Sequence, residues 1–157
     1  MDSSFSIRVS VRFRDVDVLG HVNNAVYFTY MEQARTEYWM KLFDLHDLLE
    51  IRFIVAHAEC DFKKSARMGD EIEVKIRTTS IGNSSFVWDY EIVNATTSEL
   101  FAYGKTIQVY YDYKSQKSLP VPPDVRVKLM SFKPQRPQRP RSLKNIISSV
   151  VFAVFVV

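Results

Sequence analysis

The stretch Phe13–Phe28, FRDVDVLGHVNNAVYF, gathers residue types that can act together on a carbonyl. Asp17 is a carboxylate, ionised at neutral pH in an ordinary environment. Gly20 permits a sharp turn, and His21 can hydrogen-bond or move a proton. Asn23 and Asn24 then precede an apolar-periodic run, and Asn is a favoured helix N-cap. A helix start near Asn24 offers unpaired N–H groups and a positive dipole end, both suited to polarising a carbonyl oxygen. A carboxylate facing that carbonyl can attack it directly or activate a water. Taken alone, Asp15 and Asp17 also fit plain loop carboxylates that cap the helix, and His21 a hydrogen-bonded turn residue. A metal site from Asp15, Asp17 and His21 lacks further ligands nearby, so none is expected.

These groups need a strand before them and a helix after them. Residues 6–14 alternate, with Ile7, Val9, Val11 and Phe13 on one face and Arg8, Ser10, Arg12 and Arg14 on the other, which predicts a strand with one wet face. From Ala25 to about Leu45 the period becomes helical, through Tyr27, Met31, Ala34, Tyr38, Leu42 and Leu45. Strands follow over 51–62, 70–80, 85–93 and 100–113, with Gly82-Asn83 as a hairpin turn. This order predicts an α+β domain, a five-stranded antiparallel sheet against one long helix. One helix cannot cover a whole sheet face, so a homodimer or homotetramer with sheets joined edge to edge is expected.

The domain is expected to span 1–124, closed by Pro120-Val-Pro-Pro123, with a basic Pro/Arg-rich linker over 125–145 and a short apolar tail over 146–157. Residues 1–124 carry 14 Lys/Arg against 18 Asp/Glu, while 125–157 carry 7 Lys/Arg and no acid. The net charge of +3 therefore comes from the tail, and nucleic-acid binding by the folded part is not expected. As a helix the tail would span about 18 Å, short of a bilayer core of about 30 Å, which leaves at most surface contact with a membrane. The N-terminus lacks a basic segment followed by an apolar run, and Cys60 is the single cysteine, so a cytoplasmic location is expected. Cys60 reads as a core thiol.

The string Asp15, Asp17, Gly20, His21, Val22, Asn23, Asn24 and Tyr27 resembles the signature of hotdog-fold acyl-CoA thioesterases of the 4-hydroxybenzoyl-CoA thioesterase type. There, an Asp-x-Asp-x-x-Gly segment, often continued as His-Val-Asn-Asn-x-x-Tyr, leads into the central helix. The segment Phe62–Ile72, FKKSARMGDEI, is similar to the turn before that family's third strand, and the resemblance spans about 5–115. It implies a sheet wrapped around the helix and hydrolysis of an acyl-CoA or acyl carrier protein thioester to acid and free thiol, with no cofactor. It also implies Asp17 as nucleophile or general base, the Asn24 backbone N–H as the donor to the carbonyl, His21 positioning water or a carboxylate, and Tyr27 lining the acyl pocket. Lys63, Lys64 and Arg67 suit the phosphates of coenzyme A, against the plainer reading of a solvated turn. The rival from another class is a non-catalytic hotdog module that binds acyl-CoA.

Overall fold

The computed structural model describes residues 4–131. The first alternating run forms β1 (Phe5–Ser10), with Ile7 and Val11 buried. The expected strand to residue 14 ends early, and the cause is Asp15. Its carboxylate accepts from the Arg12 backbone N–H at 2.9 Å and from the Arg12 guanidinium at 3.0 and 3.1 Å. That closure winds Phe13–Asp15 into a single 3₁₀ turn and throws Phe13 outward, 81% exposed. Phe13 therefore does not share the buried face of Ile7 and Val11.

The helix α1 spans Asn24–Phe43. Its N-cap is Asn23, one residue earlier than the sequence pattern suggests, and the Asn23 side chain accepts the Ala25 N–H at 2.9 Å. It ends at Asp44, whose φ of 55° is left-handed. Tyr27, Met31, Ala34 and Tyr38 are buried as the periodicity predicts, but so are Tyr30 and Trp39. The wider buried arc follows from the sheet. Strands β2 (Phe53–Phe62), β3 (Glu71–Ile81), β4 (Ser85–Asn94) and β5 (Leu100–Asp112) join β1 in the order β1-β3-β4-β5-β2, every neighbour antiparallel. β1 and β2 are opposite edges of that path, yet Tyr38 meets Phe5 of β1 at 5.6 Å between ring centroids and Trp39 meets Phe53 of β2 at 5.1 Å. A flat sheet could not touch one helix from both edges; this one curls around it. Where the helix presses on β5, Gly104 leaves room for the Met31 thioether, which a Cβ there would strike. A two-residue strand, β6 (Lys117–Ser118), folds back on β5.

The domain boundary expected at 124 also gives way. Pro123–Ser131 form α2, with Val125 and Leu129 buried in the core beside Val121. The Arg126 guanidinium donates to the carbonyls of Val121, Gly82 and Asn83, pinning α2 to the β3–β4 turn. Lys128 Nζ lies 4.8 Å over the Phe43 ring at the end of α1. Proline fits the first turn of a helix, where its missing N–H costs nothing, so Pro123 begins α2 and does not end the domain. The expectations for the rest of the basic linker and for the apolar tail lie outside the described residues.

Candidate active site

Between β1 and α1 the chain folds into a small hairpin. Val16 bridges Val22, the Asp17 N–H donates to the His21 carbonyl at 2.8 Å, and the Gly20 N–H donates to the Asp17 carbonyl at 3.0 Å. Gly20 has φ +74°, the left-handed residue that a short hairpin loop of this kind requires. The turn fixes the Asp17 side chain: its Oδ1 accepts from the N–H groups of Leu19 at 2.8 Å and His21 at 3.2 Å. Oδ2 has no protein partner among the described residues. One carboxylate oxygen is thus held and the other is available.

The hairpin returns directly into α1. The Asn23 N–H donates to the Asp15 carbonyl at 2.9 Å, and the Ala25 N–H is shared between the side-chain oxygens of Asn23 and Asn24, each at 2.9 Å. Asn24, the first residue of the helix, has no intrahelical acceptor for its N–H and none among the described residues. Asp17, His21, Val22, Asn23, Asn24 and Tyr27 line one cleft of about 510 Å³ together with Phe62, Lys63, Lys64 and Ser65. A carboxyl side chain and a helix start with an unpaired N–H therefore share one concavity, the pair needed to attack and to polarise a carbonyl.

Asp15 does not reach the cleft. It is 2% exposed, and besides Arg12 it accepts from the Tyr30 hydroxyl at 3.1 Å. Burial works to raise its pKa, but the bonds from Arg12 and Tyr30 outweigh it and hold the carboxyl below the usual range. The same burial and the Asp15 charge push the Tyr30 hydroxyl well above its ordinary value.

The other expected residues are placed unevenly. Tyr27 lies in the cleft wall, but it is 2% exposed and its hydroxyl accepts the Ala66 N–H at 3.1 Å. It thereby holds the turn that carries the lysines. Lys63 and Lys64 line the cleft, and the Lys64 ammonium is paired with Glu99. Arg67 is outside the lining; its backbone bridges His21 and its N–H is taken by Asp70 at 2.8 Å. Phe62 and Ser65 are lining residues that the sequence reading missed. Phe62 packs edge-on against Tyr27 at 5.2 Å, a contact that depends on pairing across the sheet and leaves no local signal. Burial pushes the Cys60 thiol up to about 11, leaving it protonated at neutral pH. Among the described residues, no group of three or more His, Cys, Asp or Glu could hold a metal, and no helix is long and apolar enough to cross a membrane.

A second concavity lies on the outer sheet face, lined by Glu59, Asp61, Lys75, Arg77, Asp89 and Glu91 among others. Its register sets Glu59 opposite Lys105, Lys105 opposite Asp89, and Asp89 opposite Arg77, so its charges neutralise one another across the strands.

The sequence profile of the thioesterase-like superfamily matches residues 11–129. The uncharacterised protein YsmA of Bacillus subtilis is 30% identical over 116 residues, covering 74% of this chain and 78% of its own length. The long-chain acyl-CoA thioesterase FadM of Escherichia coli is 26% identical over 127 residues, covering 78% and 94% respectively. Among solved structures, a thioesterase from Thermus thermophilus in complex with coenzyme A and zinc superposes with a TM-score of 0.72 at 36% identity, covering 81% of this chain and 91% of that one. The match over 11–129 takes in the Asp17 hairpin, α1, every strand of the sheet after β1 and most of α2. With the sheet wrapped about its helix and these relatives beside it, the chain is a hotdog-fold thioesterase and belongs to the thioesterase-like superfamily.

Proposed function

We propose that the protein hydrolyses acyl-CoA thioesters, with Asp17 as nucleophile or general base. The observation that carries this reading is that Asp17 and Asn24, with its unpaired N–H, line the same cleft. The thioester carbonyl oxygen accepts the Asn24 N–H, where negative charge builds up as the carbonyl carbon is attacked. If Asp17 Oδ2 attacks, an acyl-aspartyl anhydride forms, the C–S bond breaks, and coenzyme A leaves as the thiol once protonated. Water then splits the anhydride and returns the carboxylate. If Asp17 acts as base, it takes the proton of a water that attacks directly, and the same thiol and acid are released. His21, part of the same lining, orients that water or the carboxylate. Phe62 and Tyr27 border the acyl group. Lys63 meets the phosphates of coenzyme A, and Lys64 joins it by exchanging Glu99 for phosphate.

The relatives support acyl-CoA as the substrate class: one is a long-chain acyl-CoA thioesterase, and another was crystallised with coenzyme A. Thiol release across short, long and aromatic acyl-CoAs, with acyl carrier protein thioesters beside them, tests the reading and fixes the carrier. Hydrolysis of at least one acyl-CoA is expected. Tight binding without thiol release across the panel would make the protein an acyl-CoA-binding module instead, although simple binding has no use for a carboxylate beside the carbonyl.

A homodimer or a homotetramer belongs to the same proposal. β2 is an edge strand, paired only with β5 among the described residues, and it leaves Val55 and Phe62 exposed. A ten-residue edge of this kind is a template for pairing with a second copy. Its last residue is Phe62, so a partner strand there would border the cleft. Sedimentation at micromolar concentration is expected to show a dimer or tetramer, and a stable monomer would overturn this assembly.

A further inference from the structure

We infer that Asp15 is a positioning residue for the hydrolysis. It sets the separation between the Asp17 carboxylate and the Asn24 N–H by tying the Asp17 hairpin to the body of α1. The inference rests on the proposed roles of Asp17 and Asn24 and goes beyond them, because Asp15 is not among the residues that line the cleft.

At its base, Asp15 ties the Asp17 loop both to the end of β1 and to the helix. The Asp15 side chain takes the Arg12 backbone N–H, two contacts from the Arg12 guanidinium and the Tyr30 hydroxyl, while its main-chain carbonyl takes the Asn23 N–H. The first set joins the end of β1 to the side of the helix. The last joins the hairpin to the helix cap, one residue before Asn24. Asp17 follows two residues later, on a hairpin whose other backbone ties to the rest of the fold, among the described residues, are the Val22 N–H to the Ala66 carbonyl and the bridge from His21 to Arg67, with Val16 and Val22 packed on the core. A carboxylate that is 2% exposed and bonded on both oxygens cannot turn without losing contacts that burial makes expensive. The Tyr30 bond is the one that reaches the helix interior. If it slackens, the helix start and the hairpin can shift relative to one another, although each stays folded. Displacement by about 1 Å of groups that must meet a reacting atom can cost on the order of 10²-fold in rate. Ordinary core packing would affect stability and leave the turnover of folded molecules alone. The two roles therefore differ in what they move.

The test is steady-state kinetics on the full chain, well below the melting temperature, for Asp15→Asn and Tyr30→Phe, with Asp17→Asn as reference. Tyr30→Phe removes one hydroxyl and keeps the ring in the core, so it remains informative even if Asp15→Asn folds poorly. Expected are a kcat lower by about 10-fold or more for Asp15→Asn and by about 3- to 10-fold for Tyr30→Phe, each with KM within about twofold of wild type. Wild-type kcat in folded Tyr30→Phe, whatever its melting temperature, overturns the inference and leaves Asp15 a stability element. Wild-type kcat in Asp17→Asn would instead overturn the reading on which the inference stands.

Discussion

Asp17→Asn is expected to lower turnover by at least about 10²-fold while acyl-CoA affinity changes little. The amide is close to the carboxylate in size, and its oxygen can still accept the Leu19 and His21 N–H groups now held by Oδ1. The hairpin therefore persists, and the oxygen lost as a base or nucleophile is the available one. Neither direct attack nor water activation survives that change, whereas the cleft walls at Tyr27, Phe62 and Lys63 do. The measurement is thiol release at saturating substrate, set beside equilibrium binding of the same acyl-CoA. His21→Ala is expected to fall between Asp17→Asn and Asp15→Asn. Equal turnover in wild type and Asp17→Asn would exclude both versions of the mechanism.

A chain ending at Pro122 is expected to lose a large share of its stability, while one ending at Ser131 keeps it. Removing α2 uncovers the sites of Val125 and Leu129, and full burial of such side chains contributes about 1.5–3 kcal/mol each. It also removes the Arg126 bonds to Val121, Gly82 and Asn83. Against a total stability of about 5–15 kcal/mol, the shorter chain should melt at least about 10 °C lower or lose its cooperative transition. Ending at Ser131 retains every described core residue. Thermal unfolding of the two chains followed by circular dichroism decides the point; equal melting temperatures would show that α2 adds nothing to the core.

Local chemistry was the legible part of the sequence. Alternation through Val11, the stripe of Tyr27, Met31, Ala34 and Tyr38, and the turn at Gly82-Asn83 each depend on neighbours a few residues away. The placing of Asp17, Gly20 and Asn24 at a strand-to-helix junction is local in the same sense, which is why their nearness to one another was legible. What escaped depends on distant partners. Trp39 lies off the periodic stripe and is buried where the sheet edge brings Phe53 against it, and Tyr30, at the margin of the stripe, is buried over Asp15. Phe13 continues an alternating pattern that a carboxylate two residues on breaks by bonding to Arg12. α2 begins at a proline within a Pro-rich, basic context, and its burial requires the β3–β4 turn. Arg67 has the charge for phosphate and its backbone bridges His21, yet it is not among the residues that line the cleft.

The order β1-β3-β4-β5-β2 also bears on how the chain is made. β2 pairs with β5 through contacts such as Phe53 with Tyr110 and Phe62 with Ala102. On a ribosome adding roughly 5–20 residues per second, β2 emerges several seconds before its partner is complete. For that interval it is a ten-residue strand with both edges bare, next to an α1 whose Trp39 still lacks the rings of Phe86 and Trp88. Such long-range pairing slows folding and exposes nascent strands to aggregation. Yield in the cell should therefore respond more to translation speed and chaperone supply over residues 63–112 than to the stability of the finished protein.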